Sequence, residues 1–450
     1  MSAPERKGAI ERFDESRVKG AHIRWTVLAA MGDYIDAGSI VAGAASLTFW
    51  VNFFHLSTLI SGVVAALSPN AFAAALGALL AGPLGDRFGR KAIYMYDLIA
   101  YTVGALIVAL AVNTPMLILG YIITGIAVGV DVPTSWSLIA EYAPRRARGR
   151  LMSFTSLFWY IGPIVILLIA IGTSPLGVNS FRILFGSLAA VAIITWVLRR
   201  GIIESPRWAA VAGRAELVDE ALRQLGESGV GVSQPTPQVK AKWTEVFTKY
   251  WKGLAFIIPI YIMWGIPAGT FGFFLPFFTE GIAGRSVVVG DLMQILWFVT
   301  AIIGVVAVAM QLSDRVNRRL LYAISSLVCA AGFAIPIGLP FKVLLFAALN
   351  VFLFGFGHGI GLWPITRMWS VELFPTELRN RAQGFVWAMM RTSLGIWSLY
   401  VPTIIATIGY SAIAAVATSF FLANAVIGGL LGPKSQGKSL EEIQREFYGR

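Results

Sequence analysis

Apolar residues along this chain come in long unbroken runs rather than in short alternations. A run of about 20 residues matches the hydrocarbon core of a bilayer when it is helical, whereas ten-residue alternations would signal a barrel. Such runs lie near residues 25–50, 57–81, 92–112, 115–140, 151–172 and 181–198. After a polar stretch they return near 253–279, 290–312, 320–338, 342–369, 383–407 and 410–431. Only helices and closed barrels satisfy their backbone in lipid. The pattern therefore predicts an all-α integral membrane protein with twelve transmembrane helices in two six-helix bundles. Its expected parts are an N-terminal segment (1–24), a first bundle (25–198), a linker (199–252), a second bundle (253–431) and a tail (432–450). Within the linker, Leu217, Val218, Ala221, Leu222 and Leu225 recur at helical spacing, and Gly226 to Pro237 reads as a Gly/Ser/Pro connector.

Composition agrees with the pattern. Hydrophobic residues make up 57% and charged residues 13%, against roughly 25% charged in soluble domains. Mean hydropathy is +0.72. These values exclude a soluble enzyme, a disordered chain and a nucleic-acid binder. The net charge of +12 is explained by position. All but five of the 36 Lys and Arg fall in 1–24, 82–91, 141–150, 199–252, 313–319, 370–381 and 432–450, which share one side if there are twelve spans. The exceptions are Arg182, Arg285, Lys342, Arg367 and Arg391. The positive-inside rule then puts both termini in the cytoplasm, with some attraction to anionic membrane lipids. Residues 1–24 mix acids and bases and the next run carries Asp33 and Asp36, so no cleavable signal is expected. One cysteine, Cys329, and three scattered histidines offer neither an internal disulfide nor a metal cluster. Neither ATP nor a cofactor is expected.

Two pieces recur in the second half at nearly equal displacement. Asp86-Arg87-Phe88-Gly89-Arg90-Lys91 is echoed by Asp314-Arg315-Val316-Asn317-Arg318-Arg319. Glu141-Tyr142-Ala143-Pro144 with Arg148 and Arg150 is echoed by Glu372-Leu373-Phe374-Pro375 with Arg379 and Arg381. This is a parallel duplication of six spans, the layout of transporters whose substrate site lies between two halves near mid-membrane.

The stretch Gly82-x-x-x-Asp86-Arg87-x-Gly89-Arg90-Lys91 resembles the signature loop of the major facilitator superfamily. Glu204-Ser205-Pro206-Arg207-Trp208 resembles the sugar-porter "PESPR" motif, with Ile203 in place of its first Pro. Pro433 through Gly437 to Ser439-Leu440-Glu441-Glu442-Ile443 resembles that group's "PETKG-x-SLEEI" tail. Together these identify a resemblance to the bacterial sugar porter family over nearly the whole chain. It implies the major facilitator fold, with two pseudo-symmetric bundles rocking about a central site.

The loop residues are candidates for a gate. Gly82 lets two helices approach closely. Asp86 beside Arg87, Arg90 and Lys91 can form ion pairs, with Glu141 and Arg148 of the next basic segment as plausible partners, and such pairs would hold one face shut. Asp314 with Arg315 and Arg318 is the second copy, and Glu372 and Arg379 are the plausible partners in the other half. Met310 and Asn317 replace the second copy's glycines, so a weaker second gate is expected. The plain alternative, that these residues only set topology, does not explain why the repeat keeps acids as well as bases.

Ionisable residues inside spans are functional candidates by default. Asp33 and Asp36 are three apart and share a helix face. Two close carboxylates repel, so at least one can hold a proton. Asp36-Ala37-Gly38-Ser39-Ile40 resembles the sugar porters' "D-x-G-x-I", which implies that Asp36 carries the coupled proton. Asp33 and Asp131 are further candidates. Asp97, close to Lys91, reads as a structural partner of that loop. The chain departs from the family where Tyr121-x-x-x-Gly125 replaces the "R-x-x-x-G" of span four. The positive partner must come from elsewhere, with Arg391 and Arg367 as candidates. Span seven lacks the family's glutamines, and Arg367 stands where sugar porters carry Trp on span ten.

Candidate substrate contacts are Trp159, Trp264, Phe271, Trp297, Trp363 and Trp387, which could stack on a ring, with Gln294, His358, Arg367 and Arg391. Amides are scarce, Gln294, Asn350 and Gln383 being the main ones. The expected function is import of a sugar, inositol or other polyol by proton symport across the bacterial inner membrane. The alternatives are a proton-coupled organic acid importer and, further off, a non-transporting sensor. Expected partners are a small-molecule substrate, protons and membrane lipids, with no nucleic acid and a monomeric state.

Overall fold

The computed structural model describes residues 15, 17–225, 242–281, 284 and 286–449. The Gly226 to Pro237 connector, Arg285 and the side chain of Asp86 fall outside the described parts. Among the described residues the secondary structure is entirely helical. The first half holds α1 (Gly20–Phe54), α2 (Thr58–Ala66), α3 (Phe72–Phe88), α4 (Arg90–Ala109), α5 (Thr114–Tyr142), α6 (Arg148–Thr173) and α7 (Asn179–Arg199). Three short helices follow: α8 (Pro206–Val211), α9 (Ala215–Gln224) and α10 (Thr244–Thr248). The second half holds α11 (Trp251–Gly281), α12 (Val287–Gly304), α13 (Met310–Leu312), α14 (Arg318–Gly338), α15 (Leu344–Gly357), α16 (Trp363–Glu372), α17 (Thr376–Thr407) and α18 (Tyr410–Leu431), and the chain closes with α19 (Leu440–Tyr448).

Among the described residues ten segments are long and apolar enough to cross a bilayer. Two more complete the expected twelve. One is α2 with α3, a crossing interrupted at Ser68-Pro69-Asn70. The other is α17, whose hydropathy is lowered by Glu377, Arg379, Arg381 and Arg391. Single π turns join α12 to α13 (Val305–Ala309) and α15 to α16 (His358–Leu362). The second of these turns lies next to Pro364, which has no N–H to give. Large apolar residues such as Leu168, Ile194, Leu345 and Leu430 face outward, as expected where the solvent is lipid.

The stretch 82–91, expected as a loop, is almost all helix. The residues after Gly82 continue α3 to Phe88, and Arg90 already opens α4. Gly89 alone makes the turn, at φ +93°, a left-handed conformation that suits glycine. A Cβ there would sit 2.2 Å from Glu204 Oε2. That carboxylate accepts the backbone N–H groups of Arg90 (3.0 Å) and Lys91 (3.2 Å), capping α4 from the linker. Between the halves, α1 packs on α11, α3 on α17 and α6 on α12.

Candidate transport site

The centre of the interface is built on α1. One guanidinium nitrogen of Arg391, on α17 of the opposite half, lies 3.1 Å from both carboxylate oxygens of Asp36. The other nitrogen donates to the Asn70 backbone carbonyl (3.1 Å) and to its side-chain Oδ1 (2.7 Å). Pro69 breaks the second crossing there and leaves carbonyls without helical partners, so Arg391 completes the broken backbone as well as the ion pair. The Trp159 indole adds a hydrogen bond to Asp36 (3.3 Å), and Arg391 lies over the Trp387 ring at 4.5 Å. Asp36 is fully buried and Arg391 nearly so.

One helical turn away the arrangement repeats. Arg367 on α16 donates to Asp33 at 2.7 Å, and the Trp136 indole donates to the other oxygen at 2.9 Å. Arg367 also reaches Ser156 (3.3 Å) and lies over Trp136 at 4.4 Å. Both α1 carboxylates thus meet an arginine from the other half, which answers the question left by Tyr121. The Tyr121 side chain is buried among Trp50 and Phe185 instead.

Asp131 stands apart from this cross-half pair. It is held inside its own half by Arg199 at 3.4 Å and by Ser135 at 2.9 Å. Asp97 shares that arginine, at 3.9 Å, and so is not the partner of the Lys91 loop. Sequence reading had left Arg199 in the polar linker. It is the last residue of α7 and is fully buried, because its guanidinium also satisfies the Leu28 and Ala29 carbonyls of α1.

Beside Asp36 and Arg391 lies a narrow cavity of about 20 Å³, lined by Ala37, Ile40, Asn70, Trp159, Trp264 and Arg391 among others. Gly265, Ala268, Gly269 and Gly272 of α11 give it a smooth wall where the family's glutamines are absent. Of the expected substrate residues, Trp159, Trp264 and Arg391 line this cavity. Trp363 stacks on Trp264 (centroids 4.2 Å, 17° between planes) and meets the edge of Trp136 (5.3 Å). Trp387 also takes the Trp136 edge, at 4.9 Å. Arg367, Trp363 and Trp387 are therefore packed beside the cavity rather than on its wall. Phe271 packs on Phe333 (4.8 Å) and Phe354 (5.3 Å) inside the second half, and Trp297 stacks on Phe298 (4.5 Å). Gln294 donates to Phe271 O (3.1 Å) and Gly272 O (2.7 Å). Pro276 cannot bond the Gly272 carbonyl, so the amide repairs the helix instead of meeting a ligand.

His358 joins the halves a third time. The Trp264 indole N–H donates to its Nε2 at 2.8 Å, and its Nδ1 lies 2.6 Å from the Tyr160 hydroxyl of α6. An indole can only donate, so Nε2 accepts and the ring proton sits on Nδ1, directed at Tyr160.

The face carrying the basic segments is sealed by a second network. Glu141 meets the 82–91 stretch through Arg90, and Glu372 repeats this through Arg318. Each acid takes one arginine from its own half and one from the other. Glu141 meets Arg90 (3.3 Å) and Arg379 (2.7 Å). Glu372 meets Arg318 (2.9 Å) and Arg148 (4.0 Å). The duplicated loops interlock because the two bundles face each other about a pseudo-two-fold axis. Asp314 also crosses, accepting the Gly149 and Arg150 N–H groups at the start of α6 (3.0 and 2.8 Å). Carboxylates are favoured at helix N-termini, so the second copy is not the loose one its lost glycines implied. Gly82 admits α17 closely: a Cβ there would lie 2.7 Å from the Arg381 Cα. Arg87 and Arg315 are exposed; Arg87 lies over Phe88.

Asn70, Trp136 and Arg199 were missed in sequence. The Pro69 break inside an apolar run signals Asn70, because discontinuous helices mark transporter sites. Nothing local signals the other two.

A helical membrane protein whose halves meet over buried cross-half ion pairs, with a cavity beside them and a sealed face below, is a transporter of the major facilitator type. The chain belongs to the sugar (and other) transporter family, whose model matches residues 26–447. It is 36% identical over 425 residues to the minor myo-inositol transporter IolF of Bacillus subtilis (strain 168), covering 94% of each chain. Its fold superposes on the proton:xylose symporter XylE bound to 6-bromo-6-deoxy-D-glucose with a TM-score of 0.84, at 19% identity over 96% of this chain and 100% of that one. Against the inward open conformation of XylE from E. coli the TM-score is 0.69, at 19% identity over 94% and 99% of the chains. The protein is a multi-pass membrane transporter and not an enzyme.

Proposed function

We propose that this protein imports a neutral cyclic polyol of the inositol class, or a sugar, together with a proton by alternating access. The observation that carries this reading is the Asp36–Arg391 pair. It joins the two bundles, it is buried, and its arginine lines a cavity between the halves. A proton on Asp36 removes one partner of that pair. Breaking a buried pair by removing one partner is worth about 3–5 kcal/mol, enough to change which half-to-half arrangement is favoured. Trp159, Trp264 and Asn70 supply the ring faces and amide that a hydroxylated ring takes up. The resemblance to a myo-inositol transporter supports the same substrate class.

The network of Glu141, Arg379, Glu372, Arg148 and Asp314 is the gate on the basic face in this reading. That face is cytoplasmic, with both termini, in a bacterial plasma membrane. Its basic loops contact anionic lipid, and a single chain holds a complete site and works as a monomer. The bundles 25–198 and 253–431 are the rocking bodies, with 199–252 as the tether. Uptake of labelled myo-inositol into proteoliposomes, with and without an inward proton gradient, tests this directly. Accumulation only with the gradient is expected. A protein that moves neither myo-inositol nor competing sugars, but accumulates carboxylates, would overturn the substrate assignment.

A further inference from the structure

Along the face of α1 the buried acids form a ladder. Asp36 has Arg391 and Trp159; one turn on, Asp33 has Arg367 and Trp136. A further step toward the basic face brings Asp131 with Arg199 and Ser135. The Asp131 carboxylate fills the space that a side chain at Gly32 would need: a Cβ there would lie 2.0 Å from Asp131 Oδ2. Ser135 and Trp136 are adjacent on α5, so one stretch of helix serves both Asp131 and Asp33. The ladder ends at Asp97 on α4, which shares Arg199.

Charge does not balance over these rungs. Asp36 and Asp33 each have a guanidinium of their own, whereas Asp131 and Asp97 have one between them. Both are buried, at 4% and 5% exposure. Asp97 Oδ1 accepts the Leu98 N–H at 2.5 Å, but its Oδ2, within 3.9 Å of Arg199, receives no hydrogen bond. Among the described residues, the groups facing the pair from each neighbouring helix supply no second cation. From α1 come the Leu28 and Ala29 carbonyls and Asp33, and from α4 comes Tyr94, over which Arg199 lies at 4.2 Å. From α5 comes Ser135 and from α7 Arg199 itself. Arg90, toward the basic face, is bound to Glu141. Two buried carboxylates beside one guanidinium cannot both ionise without an uncompensated charge.

We infer that Asp97 and Asp131 bind one proton between them around Arg199, and that this pair is the inner station of the proton's route from Asp36 to the basic face. The inference rests on the proton-symport reading above. In a turnover the proton delivered through Asp36 and Asp33 enters the pair as the resident proton leaves to water. One proton arrives for each that departs, and Arg199 stays paired throughout. Asp131 thereby keeps a part in coupling, with Asp97 rather than with the cross-half pairs.

Infrared difference spectroscopy of the full protein in lipid tests it, read beside pH-driven accumulation. The wild type is expected to show the carbonyl stretch of a protonated carboxyl group at neutral pH, and Asp97→Asn is expected to lose it. Asp97→Asn balances one acid against one arginine and so preserves the fold; Asp131→Asn is the second variant. Loss of pH-driven accumulation with substrate exchange retained is expected in both. A carboxyl band that persists in both variants would overturn the shared proton. A lost band with normal accumulation would overturn the relay. Failure of the symport reading itself looks different: the wild type would then show no accumulation driven by a proton gradient, whatever the band does.

Discussion

Asp36 and Arg391 lie on opposite halves of the bundle, and one nitrogen of the arginine stands 3.1 Å from each carboxylate oxygen of the acid. The partner that sugar porters carry beside this acid, on span four, is supplied here across the interface. Titrating Asp36 therefore acts on the junction of the halves directly.

Asp36→Asn is expected to abolish accumulation driven by a pH gradient while leaving exchange of labelled for unlabelled substrate measurable. Exchange needs no net proton movement. Full accumulation in this variant would show that the proton binds elsewhere, with Asp33 and the Asp97–Asp131 pair next in line.

Glu141→Gln is expected to loosen the sealed face. It removes the buried partner of both Arg90 and Arg379, a change worth roughly 3–5 kcal/mol. Spin-label distances across that face should lengthen. Combining it with Arg379→Gln should fall short of additivity, since residues in one charge network couple by about 0.5–3 kcal/mol. Unchanged distances would leave these residues with topology alone.

Arg391→Gln and Arg367→Gln separate a neutral substrate from an acidic one. Both arginines are already occupied by Asp36 and Asp33. Their replacement is expected to shift the pH dependence of transport more than the apparent affinity. A fall in affinity of about 2–5 kcal/mol with little change in pH profile would instead point to a substrate carboxylate gripped by a buried arginine. Competition by simple carboxylates, with none by polyols, would agree with that outcome.

The tail offers a pH test outside the membrane. Arg207 of the Glu204–Trp208 motif meets Glu441 of α19 at 2.6 Å. Burial pushes the Glu441 carboxyl up, and the Arg207 guanidinium, a backbone hydrogen bond and the charges of Arg379 and Arg148 together outweigh it, leaving the group below the ordinary carboxylate range. Its stabilising effect is therefore present above that range and is lost as pH falls through the lowered value. Glu441 is half exposed, so the effect is about 1 kcal/mol or less. Amide exchange over 440–448 should speed up in acid. Arg207→Gln should speed it at neutral pH and remove most of the pH dependence.

Much of the architecture was legible without coordinates. Lipid forces apolar residues into long runs, so the twelve crossings could be counted from the chain. The duplicated Asp-Arg and Glu-Arg motifs announced two related bundles. Asp33 and Asp36 were conspicuous because a carboxyl group in an apolar run is costly unless something answers it. The second apolar run, 57–81, reads as one continuous crossing, and only the structure shows that Pro69 interrupts it and presents Asn70 to Arg391.

What the sequence determined by itself was the set of charged groups, their depth and the two-fold plan. What only the tertiary structure decided was which charge answers which. Spacing along a helix fixes neighbours three and four residues apart, but Asp36 and Arg391 are 355 residues apart and Glu141 and Arg379 are 238. Such pairs exist only once two bundles have packed face to face. For the same reason Arg199, which reads as the first residue of a polar linker, turns out to be the one cation among the described residues that serves both Asp97 and Asp131. A buried charge is stabilised by whatever lies within a few ångströms, and that is a property of packing rather than of order along the chain.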